Sequence, residues 1–403
     1  LGQLRETHQI IKEYYLVKAQ DMPDRPTLDE LTPLIEAVHH ACECEQFDKA
    51  LDIYRERIQT HQWHLTKKLG AWETAQEIMR DFFPNCDVSQ DPRISNYYMP
   101  WILNEIGLSL MIIGQVTLVE GIFQRSIKFN LEIKNWSAAS ATYENLSALY
   151  EVRGELDKSA EAAGKAKDMA IRAKRKDYER HSLACQARAA YLRGDMKRAK
   201  KAFQRAEEIQ KNIFIGAQDD TISSILYLFS TYGINHAEYL RRIGDNDYAK
   251  NVTEANLRIS EQYRWAAEIS ACHRVLGDLF VDSGDEDKAR NNYFLAIKIA
   301  RALSDRKVII EALLARGRWQ ARRLRDSAAA LSDLTEAFDY ARAGSYRLYE
   351  ADIRIALAWA HLAASSLDLA RGEADYALQM SQDMGYHWGI VDAKEVLAKL
   401  DQS

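Results

Sequence analysis

The chain has 403 residues, of which 47% are hydrophobic and six are proline, and this composition excludes an intrinsically disordered chain. A formal net charge of −5 and a pI near 6.1 exclude a general electrostatic attraction to nucleic acid or to anionic membranes. Five scattered cysteines, with no secretory signal and no long apolar run, indicate a reduced, cytoplasmic setting.

The first 26 residues precede the regular part of the sequence. Apolar side chains at helical spacing predict a helix over 1–20, and the Pro- and Asp-rich run 21–26 predicts a linker. Thr27 is placed as the N-cap of the helix that follows. Because the sequence starts at Leu1 without a methionine, we expect the chain to be a piece of a longer protein.

A recurring pattern of turns and small residues organises 27–386. In the clearest copy Gly194 begins a tight turn, and Ala199, Phe203 and Ala206 follow at +5, +9 and +12. Similar turns fall at Gly114, Gly154, Gly244 and Gly284, with weaker copies at Glu45, Arg325 and Ser365. Five of the seven intervals are 40 or 41 residues, which predicts about eight stacked helical pairs. The unpartnered segment 387–403 is predicted to cap the last apolar face.

Two intervals between turns are longer than the rest. The 69-residue interval before Gly114 has room for an extra helix over 65–83, and the pattern breaks after it. The ten-residue excess before Gly244 falls near 212–220. Insertions in repeat arrays map to loops or helix extensions, often on a binding face.

The spacing of small and large residues resembles the tetratricopeptide repeat. A small residue at −7 and a large apolar one at −4, as in Gly277 and Phe280, precede the turn, and alanines and an aromatic follow it. HEAT-like pairs have a similar period, but they do not predict these alanine and glycine positions. The resemblance implies an all-α solenoid, a right-handed superhelix whose first helices line a concave groove.

Ligand-groove candidates come from fixed positions before each turn, where the first helix of a pair faces the groove. Arginine offers a planar fork for carboxylates or phosphates, and tryptophan and tyrosine offer rigid contact area. The candidates are Asn104, Glu144, Arg188, Tyr191, Glu238, Arg241, Arg242, Arg274, Asp278, Trp319, Arg322 and Trp359. The alternative is that arginines and glutamates of adjacent helices simply pair with each other. We further expect that reversing the charge of Arg241, Arg242 and Arg274 abolishes partner binding and leaves the fold intact.

The sequence gives weaker signals for metal binding, catalysis and nucleic-acid binding. His39, His40, Cys42 and Cys44 lie on one predicted helix, with His61 and His64 nearby, but helical cysteines beside alanine are typical of core packing, and we predict no metal site. No serine or cysteine nucleophile motif occurs, so the chain is predicted to be non-catalytic and without a cofactor. Twelve Lys and Arg residues in 174–211 suggest a nucleic-acid-binding face, although helical periodicity spreads them around both helices.

Several stretches also resemble the signal-transducing STAND NTPases of bacteria. They are LRETHQIIKEYY, TLDELTPLIEAVHHACECEQFDKALDIY, KKLGAW and NLSALYEVRGELDKSAEAAGKA. In that family a winged-helix module precedes a repeat array that senses a ligand and inhibits the NTPase. The chain has no G-x-x-x-x-G-K-[ST] loop, so the NTPase and effector domains are absent from it.

The sequence therefore predicts a non-catalytic repeat domain that binds a protein or peptide in its concave groove. The resemblance implies a ligand-sensing and autoinhibitory region whose second partner is the NTPase domain of the same parent chain. The alternative is a nucleic-acid-sensing or scaffold module that uses the basic 174–211 face. The identity of the ligand does not follow from the sequence.

Overall fold

Helices account for nearly all regular structure in the computed structural model, which describes residues 2–60, 62–214 and 227–402. Within those ranges there is no β-strand. In the first half the α-helices are α1 Gly2–Lys18, α2 Leu28–Glu43, α3 Phe47–Ile53, α4 Trp72–Arg80, α5 Met99–Ile112, α6 Val119–Glu132, α7 Trp136–Val152, α8 Leu156–Ala173, α9 Lys176–Leu192 and α10 Met196–Phe214. The insertion predicted at 212–220 lies outside the described residues beyond Phe214.

The second half continues the same alternation. Its α-helices are α11 Ser230–Arg242, α12 Asn246–Tyr263, α13 Ala266–Ser283, α14 Glu286–Ala300, α15 Arg306–Trp319, α16 Ser327–Ala343, α17 Arg347–Ala363, α18 Leu367–Met384 and α19 His387–Leu400. Short π-helical stretches occur at Tyr54–Gln59, His64–Lys68 and Gln320–Leu324, and a 3₁₀ turn at Pro84–Cys86. The extra helix predicted over 65–83 corresponds to His64–Lys68 and α4.

Eight antiparallel pairs form the array in the described ranges, and each pair is joined at one of the eight turns predicted from the sequence. The pairs are α2/α3, α5/α6, α7/α8, α9/α10, α11/α12, α13/α14, α15/α16 and α17/α18. All eight turn residues have positive φ, including the non-glycine positions Glu45, Arg325 and Ser365. The left-handed conformation is therefore a property of the repeat turn itself, which glycine adopts at least cost.

The small residues after each turn form the core between helices. Ala199, Ala206, Ala289 and Ala296 have no exposed surface, and Phe203 is almost as buried. Helix α1 packs on α2, and α19 packs on α18 and α17, so both ends of the array are covered. Thr27 caps α2 with a reciprocal bond to Glu30, as the sequence predicts. The all-α solenoid is thus confirmed.

Close helix contacts predict opposite outcomes for two glycine substitutions. A Cβ at Gly277 would lie 2.6 Å from the buried ring of Tyr293, whereas a Cβ at Gly372, in the middle of α18, would meet nothing within 4 Å. We expect Gly277→Ala to destabilise the protein by about 1–3 kcal/mol, despite the better helix propensity of alanine. Gly372→Ala should stabilise it by about 0.5–1 kcal/mol. Urea unfolding of both variants checks this, and equal effects would contradict the packing.

Candidate functional site

The concave side of the array is partly closed, because the C-terminal repeats contact the second and fourth helical pairs. The Tyr346 hydroxyl donates to the Met111 carbonyl at 2.7 Å. The Trp388 indole N–H donates to the Tyr191 carbonyl at 2.9 Å, and Arg242 pairs with Asp392 of α19. These contacts join residues 150 or more positions apart and leave a row of three neighbouring cavities inside the solenoid.

The largest cavity has a volume of about 470 Å³. Apolar side chains that line it come from both halves of the chain: Trp72, Leu108, Met111, Ile112, Phe229, Trp265 and Leu303. Polar and ionisable groups are spaced among them. A cavity of this size, mostly apolar with a few fixed polar groups, is typical of ligand sites.

Most of the charges in the large cavity are paired within the protein. Lys67 Nζ lies 3.2 Å from Glu268 Oε1. Arg188 Nε lies 3.1 Å from Glu151 Oε1, and Lys307 Nζ lies 3.5 Å from the Glu311 carboxylate. The Arg188–Glu151 pair joins α9 to α7, and the Lys67–Glu268 pair joins the insertion before Gly114 to α13. Lys307 and Glu311 lie one turn apart on α15.

Among the described residues, Glu144 on α7 has no cationic partner at ion-pair distance. Its side chain is 8% exposed, and the Tyr232 hydroxyl donates to Oε2 at 3.0 Å. The other oxygen, Oε1, has no hydrogen-bond partner in the described part of the chain. Burial raises the pKa of the Glu144 carboxyl to about 8, since the charged form loses its hydration. Near neutral pH this carboxyl is therefore largely protonated.

Histidine adds no positive charge beside Glu144. The His181 ring stacks on Tyr232 at 4.5 Å between centroids, and burial together with the neighbouring Arg180 lowers the pKa of His181 to about 3. Arg180 is itself engaged, because its guanidinium bonds Gln210 and the His181 ring. This corner of the cavity holds a neutral imidazole, a phenol and a carboxyl group.

The raised pKa of Glu144 makes protein stability depend on pH. The folded state keeps this proton between about pH 4.5 and pH 8 while the unfolded state loses it, so stability falls as pH rises through that window. Glu105, buried on α5 away from the cavity, has a pKa raised to about 7 by burial and behaves alike. Glu144→Gln removes this pH-dependent loss. As the pH rises from 5 to 8, the free energy of unfolding of the variant should therefore increase by roughly 2–4 kcal/mol relative to that of the wild type.

Urea unfolding at pH 5 and pH 8 measures this effect. Glu105→Gln is expected to flatten the pH dependence in the same direction but less, because its pKa is less raised. Parallel pH profiles for the wild type and Glu144→Gln would show that the Glu144 carboxyl is not held protonated.

A dense ionic network fills the middle cavity, which has a volume of only about 130 Å³. Arg188 and Arg274 share Glu238, with an Arg188 Nη1 to Glu238 Oε2 distance of 2.6 Å. Arg241 pairs with Asp278 at 3.4 Å and with Asp282 at 2.6 Å. Five arginines and five carboxylates line this cavity, so its formal charge is balanced.

The third cavity, of about 380 Å³, is rich in arginine and tryptophan. The Arg322 guanidinium lies 4.5 Å from the centre of the Trp359 ring and also pairs with Glu395. Trp319 is buried and packs on Tyr293 at 5.5 Å between ring centroids. Trp319 therefore serves first as a core residue between adjacent repeats.

Eleven of the twelve residues predicted for the groove line one of the three cavities. Asn104 does not; it accepts a hydrogen bond from Asn145, which does. The arginines nevertheless pair with carboxylates of neighbouring helices, which is the alternative weighed above. The expectation that charge reversal at Arg241, Arg242 and Arg274 spares the fold is revised, because Arg274 is 6% exposed and pairs with Glu238.

Sequence reasoning missed several lining residues. Three of them lie on the same faces of the first helices as the predicted residues, but closer to the N-terminus of each helix than the positions that the template covered. They are Glu268, Lys307 and Glu311. A template extended by about one to two helical turns would have included them. Lys67 could not be found this way, since it belongs to the insertion before Gly114 and has no repeat register.

The histidine and cysteine cluster on α2 makes separate contacts. His39 Nδ1 lies 2.8 Å from Asp81, His40 Nδ1 lies 2.8 Å from His8, and Cys44 donates to the Arg5 carbonyl. In the part of the chain that is described, no three His, Cys, Asp or Glu side chains are placed to share a metal ion, and His61 lies outside that part. Burial raises the pKa of the Cys42 thiol, which disfavours the nucleophilic thiolate.

The basic segment 174–211 divides between the interior and the surface. Arg180 and Arg188 are buried and line or flank the cavities. On the outside Arg175 pairs with Asp177, and Arg193 with Asp157.

No protein-family model matches the chain, and no curated protein matches it in sequence. Among solved structures, a Rap protein complexed with Competence and Sporulation Factor is similar, with a TM-score of 0.60 at 12% identity over 88% of this chain and 99% of the Rap chain. The fold is that of a tetratricopeptide-type helical-repeat solenoid. Yeast Tom70 gives a TM-score of 0.44 at 12% identity over 99% of this chain and 86% of Tom70.

A STAND protein with a tetratricopeptide repeat sensor from Pyrococcus horikoshii gives a TM-score of 0.40 at 13% identity, over 98% of this chain and 50% of that protein. At these identities the Rap likeness establishes the fold and not the function. In the described ranges no helix has the length and apolar character needed to span a bilayer.

Proposed function

We propose that this chain is a non-catalytic binding domain that takes a short peptide, or a peptide segment of a protein, inside the solenoid. The observation that carries the proposal is the large cavity, which is lined from both halves of the chain, has mostly apolar walls and keeps ionisable groups at fixed positions. Eleven of the twelve groove residues predicted from the sequence line this cavity or the two next to it, which supports the proposal. A Rap protein of the same fold is complexed with Competence and Sporulation Factor, which is consistent with this role.

The proposal extends to the place of the domain in a larger protein. On the sequence resemblance alone, the chain is the ligand-sensing and autoinhibitory region of a cytoplasmic signalling NTPase. Residues 1–26 then end a preceding module, 27–386 form the sensor array, and 387–403 cap it. Ligand binding within the array would alter its contact with the NTPase domain of the parent chain.

Selection from a displayed library of random seven-residue peptides tests the binding function. The purified chain is immobilised, and recovered peptides are synthesised and titrated by calorimetry at 50 mM and 500 mM salt. We expect a common sequence pattern and micromolar or tighter binding that changes little with salt, because apolar walls supply most of the contact. Recovery of no peptide above background would contradict the proposal.

The alternative, nucleic-acid binding through 174–211, is tested in the same buffers with a random-sequence 25-nucleotide RNA. Phosphate binding would weaken log-linearly with salt concentration. Tight, salt-sensitive RNA binding together with failed peptide selection would favour the alternative.

A further inference from the structure

The large cavity contains more acidic than basic groups. Six carboxyl groups and three cationic side chains line it. Lys67, Arg188 and Lys307 are each committed to carboxylates of the wall, and Glu238 is also held by Arg274 from outside the cavity. Two lining carboxyl groups, those of Glu144 and Asp305, have no cation at ion-pair distance within the ranges that the structure describes.

The two unpaired carboxyl groups differ in what else they do. Asp305 caps α15, where its Oδ1 accepts a hydrogen bond from the Val308 N–H at 3.1 Å. Glu144 caps nothing and receives one hydrogen bond, from Tyr232, while Oε1 has no partner. A buried carboxyl oxygen without a donor is costly, and a protein that retains one beside a cavity gains when a ligand supplies the donor.

We infer that the cavity takes a short basic peptide, whose ammonium or guanidinium group binds the Glu144 carboxylate while the apolar walls hold the rest. The inference rests on the proposed function and names the chemical class of its ligand. The His181 ring beside Tyr232 is neutral, and Arg180, which acts on Glu144 from α9, is engaged with Gln210 and the His181 ring and does not line the cavity. An acidic peptide would meet an excess of carboxylates and is disfavoured by the same wall.

Proton release accompanies such binding. The titratable and charged groups that face Glu144 are Asp177, Tyr178, Arg180 and Cys185 on α9 and Tyr232 on α11, and burial outweighs them in raising the pKa of Glu144 to about 8. A cationic ligand favours the ionised form, so the Glu144 proton leaves when the ligand binds. Affinity should therefore rise with pH below pH 8, by up to about tenfold per pH unit.

Synthetic pentapeptide pools test the inference. Each pool is acetylated and amidated, with lysine, arginine, norleucine or glutamate fixed at the central position and the other positions random. Binding is measured by calorimetry at pH 6, 7 and 8 in two buffers that differ in ionisation enthalpy. The proteins are the wild type, Glu144→Gln and the matched control Glu105→Gln, which alters a buried carboxyl outside the cavity.

We expect the lysine and arginine pools to bind the wild type about tenfold or more tightly than the other pools, with proton release at pH 7. Glu144→Gln should lose both the preference and the proton release, and Glu105→Gln should keep both. A norleucine or glutamate pool that binds best, or a lysine preference that survives in Glu144→Gln, would overturn the inference while the binding function stands. Hexylamine binding as tightly as the lysine pool would overturn the peptide part. No binding by any pool would count against the proposed function itself.

Discussion

Arg188→Met is expected to lower the free energy of unfolding by about 3–5 kcal/mol, because it leaves the Glu151 carboxylate, which is only 13% exposed, without its ion-pair partner and leaves Glu238 to Arg274 alone. Arg188 is 8% exposed and lies on α9, between Glu151 on α7 and Glu238 on α11. Its guanidinium therefore joins three successive first helices at the wall shared by the large and middle cavities. Urea unfolding of the variant measures the loss.

Two further variants separate this effect from a general loss of charge. Arg371 pairs with Asp401 on the surface, where the two side chains are 48% and 65% exposed, so Arg371→Met should leave the free energy of unfolding almost unchanged. Adding Glu151→Gln to Arg188→Met removes one stranded carboxylate and should restore part of the stability. A cost below 1 kcal/mol for Arg188→Met would show that the interior network is not structural.

The repeat architecture could be predicted because it depends on local rules. Each turn needs a left-handed residue, and each second helix needs alanines that allow close approach, so Gly194 and Ala199 carry the register in the sequence itself. The same rules identified Glu45 and Ser365 as turns without glycine. Local signals of this kind repeat eight times, and their period reveals the fold.

The site could be predicted only in part, because it depends on contacts between distant repeats. The sequence placed Arg188 and Glu238 on the concave side but could not show that they bond each other. The contacts of Tyr346 with Met111 and of Trp388 with Tyr191 join segments that are far apart in the sequence. The repeat pattern does not relate these segments, so no local sequence signal could predict the cavities. The raised pKa of Glu144 likewise follows from its burial, which could not be read from the sequence.

Filling the large cavity is expected to abolish ligand binding. Ala148, on α7, is half-buried and lines the cavity, so Ala148→Trp places an indole inside it. A loss of at least about 100-fold in peptide affinity should follow, since an occupied cavity cannot accept the ligand. Ala328 is exposed on α16, and Ala328→Trp is the matched control that adds the same side chain outside the cavity.

The most direct test of an interior binding site is a calorimetric titration of a peptide recovered by display into the wild type, Ala148→Trp and Ala328→Trp. The account predicts binding by the wild type and Ala328→Trp and none by Ala148→Trp, with helicity equal in all three. Should Ala148→Trp fail to fold, Ala267→Trp, which lines the same cavity from α13, replaces it. Equal affinity in a folded cavity-filling variant would contradict the account, because the ligand would then bind elsewhere.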